Sequence, residues 1–236
     1  MAFLWDVVHN ATLSDVPVTI LSLDRGKAFG RVVWSFMHKT LQAMGFGDSL
    51  VNWVNLFHCN VWTFINVNAY LSQPFSWSCG VRQGCPLSKL LYVLVSEVLA
   101  VNIPRIRGLT LPGIRDLLPP ISQYADDTSL IVTSDDAIRA TFETYSIYEK
   151  GSGSKLNLSK SKCLWLGSWN GRHDSPVILD WSSSKMKVLG VFIGVSNLEE
   201  DNWRPRIIAV ENVLASWRQR QLSFQDRALI INALAL

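Results

Sequence analysis

With 236 residues and 26.5 kDa, the chain is long enough for one large or two modest domains with a real core. Its 48% hydrophobic and 17% charged residues exclude a disordered segment. Its 22 basic and 19 acidic side chains leave a net charge of only +3, too mild to point by itself to nucleic acid.

A short helix is expected near residues 2–9, and a strand over 17–23. The run Val16-Pro17-Val18-Thr19-Ile20-Leu21-Ser22-Leu23 is mostly apolar and stops at Asp24-Arg25-Gly26, so Asp24 closes that strand. Val32, Val33, Phe36, Met37, Leu41 and Met44 then recur at three- and four-residue steps, predicting a helix over 31–44 that Gly45 ends. Asp24 equally suits a simple cap or turn before that helix. A second helix starts near Asp48-Ser49, with Leu50, Val51, Trp53, Val54 and Phe57 on one side, and 61–78 reads as a β-hairpin.

Gly80 to Ser88 reads as a loop feeding a helix, with Pro86 at the first helical position, where a missing N–H loses no bond. Leu87, Leu90, Leu91, Leu94, Val95 and Val98 form its apolar face, with Ser88, Lys89, Ser96 and Glu97 elsewhere. The most apolar stretch, 90–103, is interrupted by Ser96, Glu97 and Asn102 and is too short to span a bilayer, so no membrane role is expected. Next, Tyr124-Ala125-Asp126-Asp127 sets two adjacent carboxylates between apolar, β-prone runs at 118–124 and 128–132. Asp is a routine turn former, so the tetrapeptide alone reads as an ordinary hairpin tip.

A helix over 135–149 starts from Ser134-Asp135 and is expected to end before Gly151-Ser152-Gly153. Strands near 162–167 and 187–193 precede helices near 201–220 and 224–236. Arg204, Arg206, Arg218, Arg220 and Arg227 lie in these helices with Trp203 and Trp217, a pattern that suits either phosphate tracking or amphipathic packing. Cys59, Cys79, Cys85 and Cys163 lack paired zinc spacing and the pattern of a secreted disulfide scaffold, and the N-terminus lacks the basic flank of a signal peptide. An intracellular protein with reduced thiols is expected, with nothing to choose between nucleus and cytoplasm.

If Asp24 sits beside Asp126 and Asp127, three negative charges crowd one spot, each raising the others' pKa unless a cation lies between them. Mg²⁺ is a hard cation commonly held by one or two carboxylates together with substrate phosphates. Two such ions clamp the attacking and leaving oxygens of an in-line displacement at phosphorus.

Asp24-Arg25-Gly26-Lys27-Ala28-Phe29, Gly80-Val81-Arg82-Gln83-Gly84-Cys85-Pro86-Leu87-Ser88 and Tyr124-Ala125-Asp126-Asp127 resemble motifs A, B and C of reverse transcriptases. The wording is that of non-LTR (LINE-type) retrotransposons, and the order is the family's. Lys155-Leu156-Asn157-Leu158-Ser159-Lys160-Ser161-Lys162 resembles motif D, and Lys187-Val188-Leu189-Gly190-Val191-Phe192-Ile193-Gly194 resembles motif E. The resemblance implies an RNA-directed DNA polymerase in which Asp24, Asp126 and Asp127 hold two Mg²⁺ or Mn²⁺ ions. It implies that Arg25, Arg82, Gln83, Gly84 and Lys160 meet the incoming nucleotide, with Lys160 as a general acid toward pyrophosphate. Phe29 falls where the family sets an aromatic wall that excludes a 2′-hydroxyl, although its residue type fits a core position equally well. Tyr124, Arg204 and Arg218 are expected along the nucleic acid. The implied partners are an RNA template, a DNA primer and deoxynucleoside triphosphates.

The implied fold is α+β, a reverse-transcriptase palm built as a ferredoxin-like antiparallel sheet backed by helices, with partial fingers and the start of a helical thumb. Residues 1–29 would be the palm entry with motif A, 30–79 the partial fingers, 80–197 the palm with motifs B to E, and 198–236 the thumb. The sequence also departs from the family. Only 23 residues precede Asp24, where fingers motifs would supply basic groups for the triphosphate. Gly30 replaces an acidic residue, Cys79 a basic one and Lys89 a proline, and no endonuclease precedes the domain. A chain shortened at both ends is therefore expected, its missing fingers, thumb or endonuclease belonging to a longer polyprotein. Two readings stand: an active polymerase domain, or an inactive relic that keeps the palm and binds nucleic acid.

Overall fold

The computed structural model describes residues 2–103, 121–218, 220 and 223–234. In chain order the elements are α1 (Ala2–Ser14), β1 (Val18–Leu23), α2 (Trp34–Ala43), α3 (Asp48–His58), β2 (Trp62–Thr63), β3 (Asn66–Val67), β4 (Tyr70–Leu71), β5 (Phe75–Ser76) and α4 (Pro86–Asn102). There follow β6 (Ile121–Tyr124), β7 (Asp127–Val132), α5 (Asp135–Ser152), β8 (Lys162–Leu166), β9 (Asp180–Ser182), β10 (Lys185–Val188), β11 (Val191–Gly194), α6 (Glu199–Arg218) and α7 (Phe224–Leu234).

The main sheet has the order β6-β7-β1-β8-β9, antiparallel throughout except for the parallel pair β8 and β9. Its central strand is β1, whose apolar run feeds both faces because successive side chains point to opposite sides. Val18 and Ile20 join Leu164, Leu166 and Ile131 under α1 and the β10-β11 hairpin. Leu21 and Leu23 join Leu130, Val132, Cys163 and Trp165 under α4 and α5. A third core lies between α2, α3 and α4, around Met37, Leu41, Val54, Tyr92 and Val95. This is the expected α+β palm.

Several boundaries differ from the sequence reading, each for a local reason. The first helix runs to Ser14 because Val8 and Ala11 extend its buried face. Helix α5 passes through Gly151 and Ser152 and stops at Gly153, which takes the left-handed conformation (φ 77°) that glycine accepts most readily. The segment 61–78 forms two small nested ribbons, β2-β5 and β3-β4, instead of one hairpin. The expected strand over 187–193 is two strands joined by Leu189-Gly190, both at positive φ, as a type I′ turn requires. Strand β9, with three residues, has no sequence signal of its own and forms against β8. Of the face assigned to the second helix, only Val51 and Val54 are buried, while Leu50, Trp53 and Phe57 are exposed. Residues 118–120 and 235–236, expected to begin a strand and end a helix, lie outside the described residues.

Candidate active site

The pairing of β1 with β7 carries the site. Their register sets Ser22 opposite Ser129 and Leu23 opposite Thr128, so one further step sets Asp24 opposite Asp127. The same alternation that sends Leu23 and Thr128 toward the α4 and α5 side sends Asp24 and Asp127 to the other face of the sheet's end. Asp126 occupies the two-residue turn between β6 and β7, since Tyr124 pairs with Asp127. Its neighbour Ala125 stands at φ 55°. Positive φ at the first central residue alone is the signature of a type II′ turn, where glycine is the usual choice, so Ala125 is strained. Thus residues about a hundred positions apart become neighbours because β1 and β7 share one ladder.

The charges register that proximity. The Asp127 carboxyl is raised above the ordinary Asp range, first by partial burial, then by Asp126 and Asp24, while Arg25 and Lys160 pull it down. Lys160 is exposed and near enough to act on Asp127. The Asp24 backbone is pinned from below: its N–H donates to Ser161 Oγ at 3.1 Å and its carbonyl accepts from the Asn157 N–H at 2.8 Å. Among the described residues no three His, Cys, Asp or Glu side chains stand close enough to enclose a metal ion. The expected cage of three carboxylates is therefore not closed. What exists is an open set of hard oxygen donors whose negative charge Arg25 and Lys160 only partly offset, the donor chemistry that suits a cation completed by substrate phosphates.

Arg25 is placed differently from expectation. It is 2% exposed and points to the helix side of the sheet instead of to the open site. Its Nη1 donates to Tyr92 Oη at 3.2 Å and Ser96 Oγ at 2.5 Å, and Nη2 donates to Thr128 Oγ1 at 2.9 Å. With its fork engaged inside the protein, it is not available to a nucleotide. Ser88 and Ser96, expected off the buried face of α4, and Leu90, expected on it, are also reversed. The two serines are buried and Leu90 is 64% exposed. Ser96 faces inward because Arg25 is there to meet it.

Motif B is held directly against motif A. Gly80 N–H donates to Val32 O at 2.7 Å, Val81 N–H to Phe29 O at 2.7 Å, and Trp34 Nε1 to Gly80 O at 2.7 Å. Gly80 has φ 92°, and a Cβ there would stand 2.9 Å from Gly30 O, so only glycine permits this approach. Two of the departures from the family meet here, with Cys79 Sγ donating to Gly30 O at 3.6 Å. Phe29 is half-buried and stacks on Tyr92, with centroids 4.6 Å apart, which combines a core contact with one partly open face. Arg82, Gln83 and Gly84 form an exposed turn ahead of α4, and Arg82 lines a cleft of about 550 Å³ with Trp34, His58, Trp62 and Trp77. Tyr124 is 70% exposed beside the carboxylate turn. Arg204 is an exposed surface residue paired with Glu200 at 3.4 Å, and Arg218 ends α6. Tyr92, Ser96, Thr128, Asn157 and Ser161 also support the site, and their sequence signal is no more than polar character inside motif helices, strands and loops.

An antiparallel sheet backed by helices, with acidic residues at the ends of its two central strands, defines a polymerase palm. Residues 4–193 match the family described as reverse transcriptase (RNA-dependent DNA polymerase), and the chain belongs to that family. Its relatives are proteins of non-LTR retrotransposons. It is 34% identical over 238 residues to the transposon TX1 uncharacterized 149 kDa protein of Xenopus laevis, covering 97% of this chain and 18% of that one. It is 27% identical to the Pol polyprotein of the Drosophila melanogaster type-2 retrotransposable element R2DM, covering 63% of this chain and 14% of the relative. The chain thus spans less than a fifth of either relative. In fold it resembles telomerase of Candida tropicalis in complex with a fragment of telomeric RNA, with a TM-score of 0.59 at 13% identity, covering 82% of this chain and 31% of that one. Apo telomerase of the same organism, truncated from its C-terminal domain, gives 0.55 at 14% identity over 82% of this chain and 38% of that one.

Proposed function

We propose that this chain is the catalytic palm of an RNA-directed DNA polymerase that adds deoxynucleotides to a DNA primer on an RNA template. The observation that carries this reading is the juxtaposition of Asp24 with the Asp126-Asp127 turn across the β1-β7 ladder, inside a chain of the reverse transcriptase family. The residues that would hold divalent cations are Asp24, Asp126 and Asp127. Bound Mg²⁺ or Mn²⁺ supplies charge neutralisation at the triphosphate and a lowered pKa for the primer 3′-hydroxyl. The protein's own part is positioning, which in phosphoryl transfer provides most of the acceleration. Asp24 and Asp127 present their oxygens on one face of a rigid sheet. Lys160 stands close by with a proton for the departing pyrophosphate. Phe29, braced by Tyr92, offers its free face to the sugar. The exposed Arg82-Gln83-Gly84 turn and Tyr124 line the approach of nucleotide and template.

In this reading the remaining template and primer contacts belong to other parts of a longer polyprotein. This fits the small share of the relatives that the chain spans and the exposed Trp203, Ile207 and Ile208 on α6. No helix among the described residues is long and apolar enough to cross a membrane. The four cysteines lack paired spacing, and we place the work of this protein in a reducing compartment on that ground. The family match favours the polymerase over an inactive relic. The test is extension of a DNA primer on an RNA template with Mg²⁺ or Mn²⁺, comparing the chain with an Asp126→Ala, Asp127→Ala double variant. Extension by the chain that the double change abolishes is expected. Extension that survives the change would remove the carboxylates from the mechanism, and salt-sensitive template binding without any extension would favour the relic.

A further inference from the structure

Arg25 is a buried cation without an anion of its own. None of the ion pairs among the described residues includes it, its Nε is buried without a partner, and its fork is met by hydroxyls, among them those of Tyr92, Ser96 and Thr128. Tyr92, Tyr145 and Tyr148 stand around it, Tyr92 with its ring centroid 5.7 Å from the guanidinium carbon. An arginine desolvated to 2% exposure is costly to hold unless negative charge lies within reach. The negative charge lies one residue away in both strands. Asp24 precedes Arg25, Asp127 precedes the Thr128 that Arg25 binds, and both acids point to the opposite face of the same sheet end. The backbone of Arg25 also bridges Leu156 in the motif D loop. One residue therefore ties these segments together directly beneath the carboxylates: its side chain joins motif A to the motif B helix and the motif C strand, and its backbone joins motif D.

We infer that Arg25 is a positioning residue: a built-in counter-charge that keeps the Asp24 and Asp127 site assembled while no divalent cation is bound. The inference rests on the reading that these carboxylates take such cations. Without Arg25, the like charges at the sheet end lose the buried cation beneath them, and folding comes to depend on metal. A lysine at the same position keeps the charge while losing the fork. The shape of the core and the presence of the charge are thereby separable.

The experiment is thermal unfolding of the full chain in EDTA and in Mn²⁺, for the native sequence, Arg25→Met, Arg25→Lys and Asp126→Asn. The native chain should gain a modest rise in Tm from Mn²⁺, and Asp126→Asn should lose it. Arg25→Met should melt lower in EDTA, or not fold there at all. Its rise with Mn²⁺ should be at least twice the native one, with Mn²⁺ bound about tenfold more tightly because a nearby cation no longer competes. Arg25→Lys should melt lower in both conditions but keep the native rise. An Arg25→Met chain whose rise does not exceed the native one, or that stays unfolded with Mn²⁺, overturns the inference, as does Arg25→Lys behaving like Arg25→Met. If the native chain and Asp126→Asn respond identically to Mn²⁺, the metal reading itself fails and takes this inference with it.

Discussion

Asp127 bears a charge that its surroundings resist, and neutralising it should stabilise the metal-free protein at neutral pH. Burial, Asp126 and Asp24 raise its folded pKa. The stabilisation linked to its proton is therefore complete below the ordinary Asp value of about 3.9 and is lost as pH rises through the raised value. Asp127→Asn should raise the Tm in EDTA at pH 7 and leave it unchanged near pH 3; a lower Tm at pH 7 would contradict the assignment. Glycine replacements probe the neighbouring motif B. Gly80→Ala combines positive φ with a close approach to Gly30 O, whereas Gly84, at φ 84°, faces open space. Urea unfolding should show a loss of about 2 kcal/mol or more for Gly80→Ala and about 1 kcal/mol for Gly84→Ala. Equal losses would mean that the contact between motifs A and B contributes nothing.

Between elements, short polar links set the angles. Ser134 caps α5 by accepting the Ala137 N–H at 3.2 Å, and its replacement by alanine should cost about 1 kcal/mol in unfolding free energy. Asn202 in α6 acts as a missing strand partner for β11: its Oδ1 accepts the Phe192 N–H at 2.7 Å and its Nδ2 donates to Phe192 O at 3.0 Å. Asn202→Ala should speed amide hydrogen exchange at Phe192 about tenfold, as loss of roughly 1.4 kcal/mol of local protection requires. No change there would mean that α6 is docked by its other contacts, such as the Lys185–Asp201 ion pair at 2.6 Å. Elements of this kind were legible in the sequence where one local signal dominated, as with Pro86 opening α4, Ser134 opening α5 and the apolar run of β1. Tertiary context decided the rest. β9 is three residues long and forms by pairing parallel to β8, and Gly151 stays helical against Phe36. Ser96 is buried for the sake of Arg25, a partner 71 residues away, which no periodicity in α4 reveals.

At the scale of the molecule, the motifs were readable because chemistry restricts their residue types, while their meeting point depends on strand register. Shifting β7 by one residue against β1 would turn Asp127 toward the helices and bury its charge. In the proposed mechanism Asp24 and Asp126 act on the same divalent cations, though the chain separates them widely. Mn²⁺ binding followed by electron paramagnetic resonance in the presence of a deoxynucleoside triphosphate, for the native chain and the single variants Asp24→Asn and Asp126→Asn, measures this most directly. Each single change should weaken Mn²⁺ binding about tenfold or more, given that losing even an outer partner of a metal ligand costs about 10- to 100-fold. Native affinity in Asp24→Asn, with loss only in Asp126→Asn, would show that the two strands of the β1-β7 ladder do not bring these acids to one site.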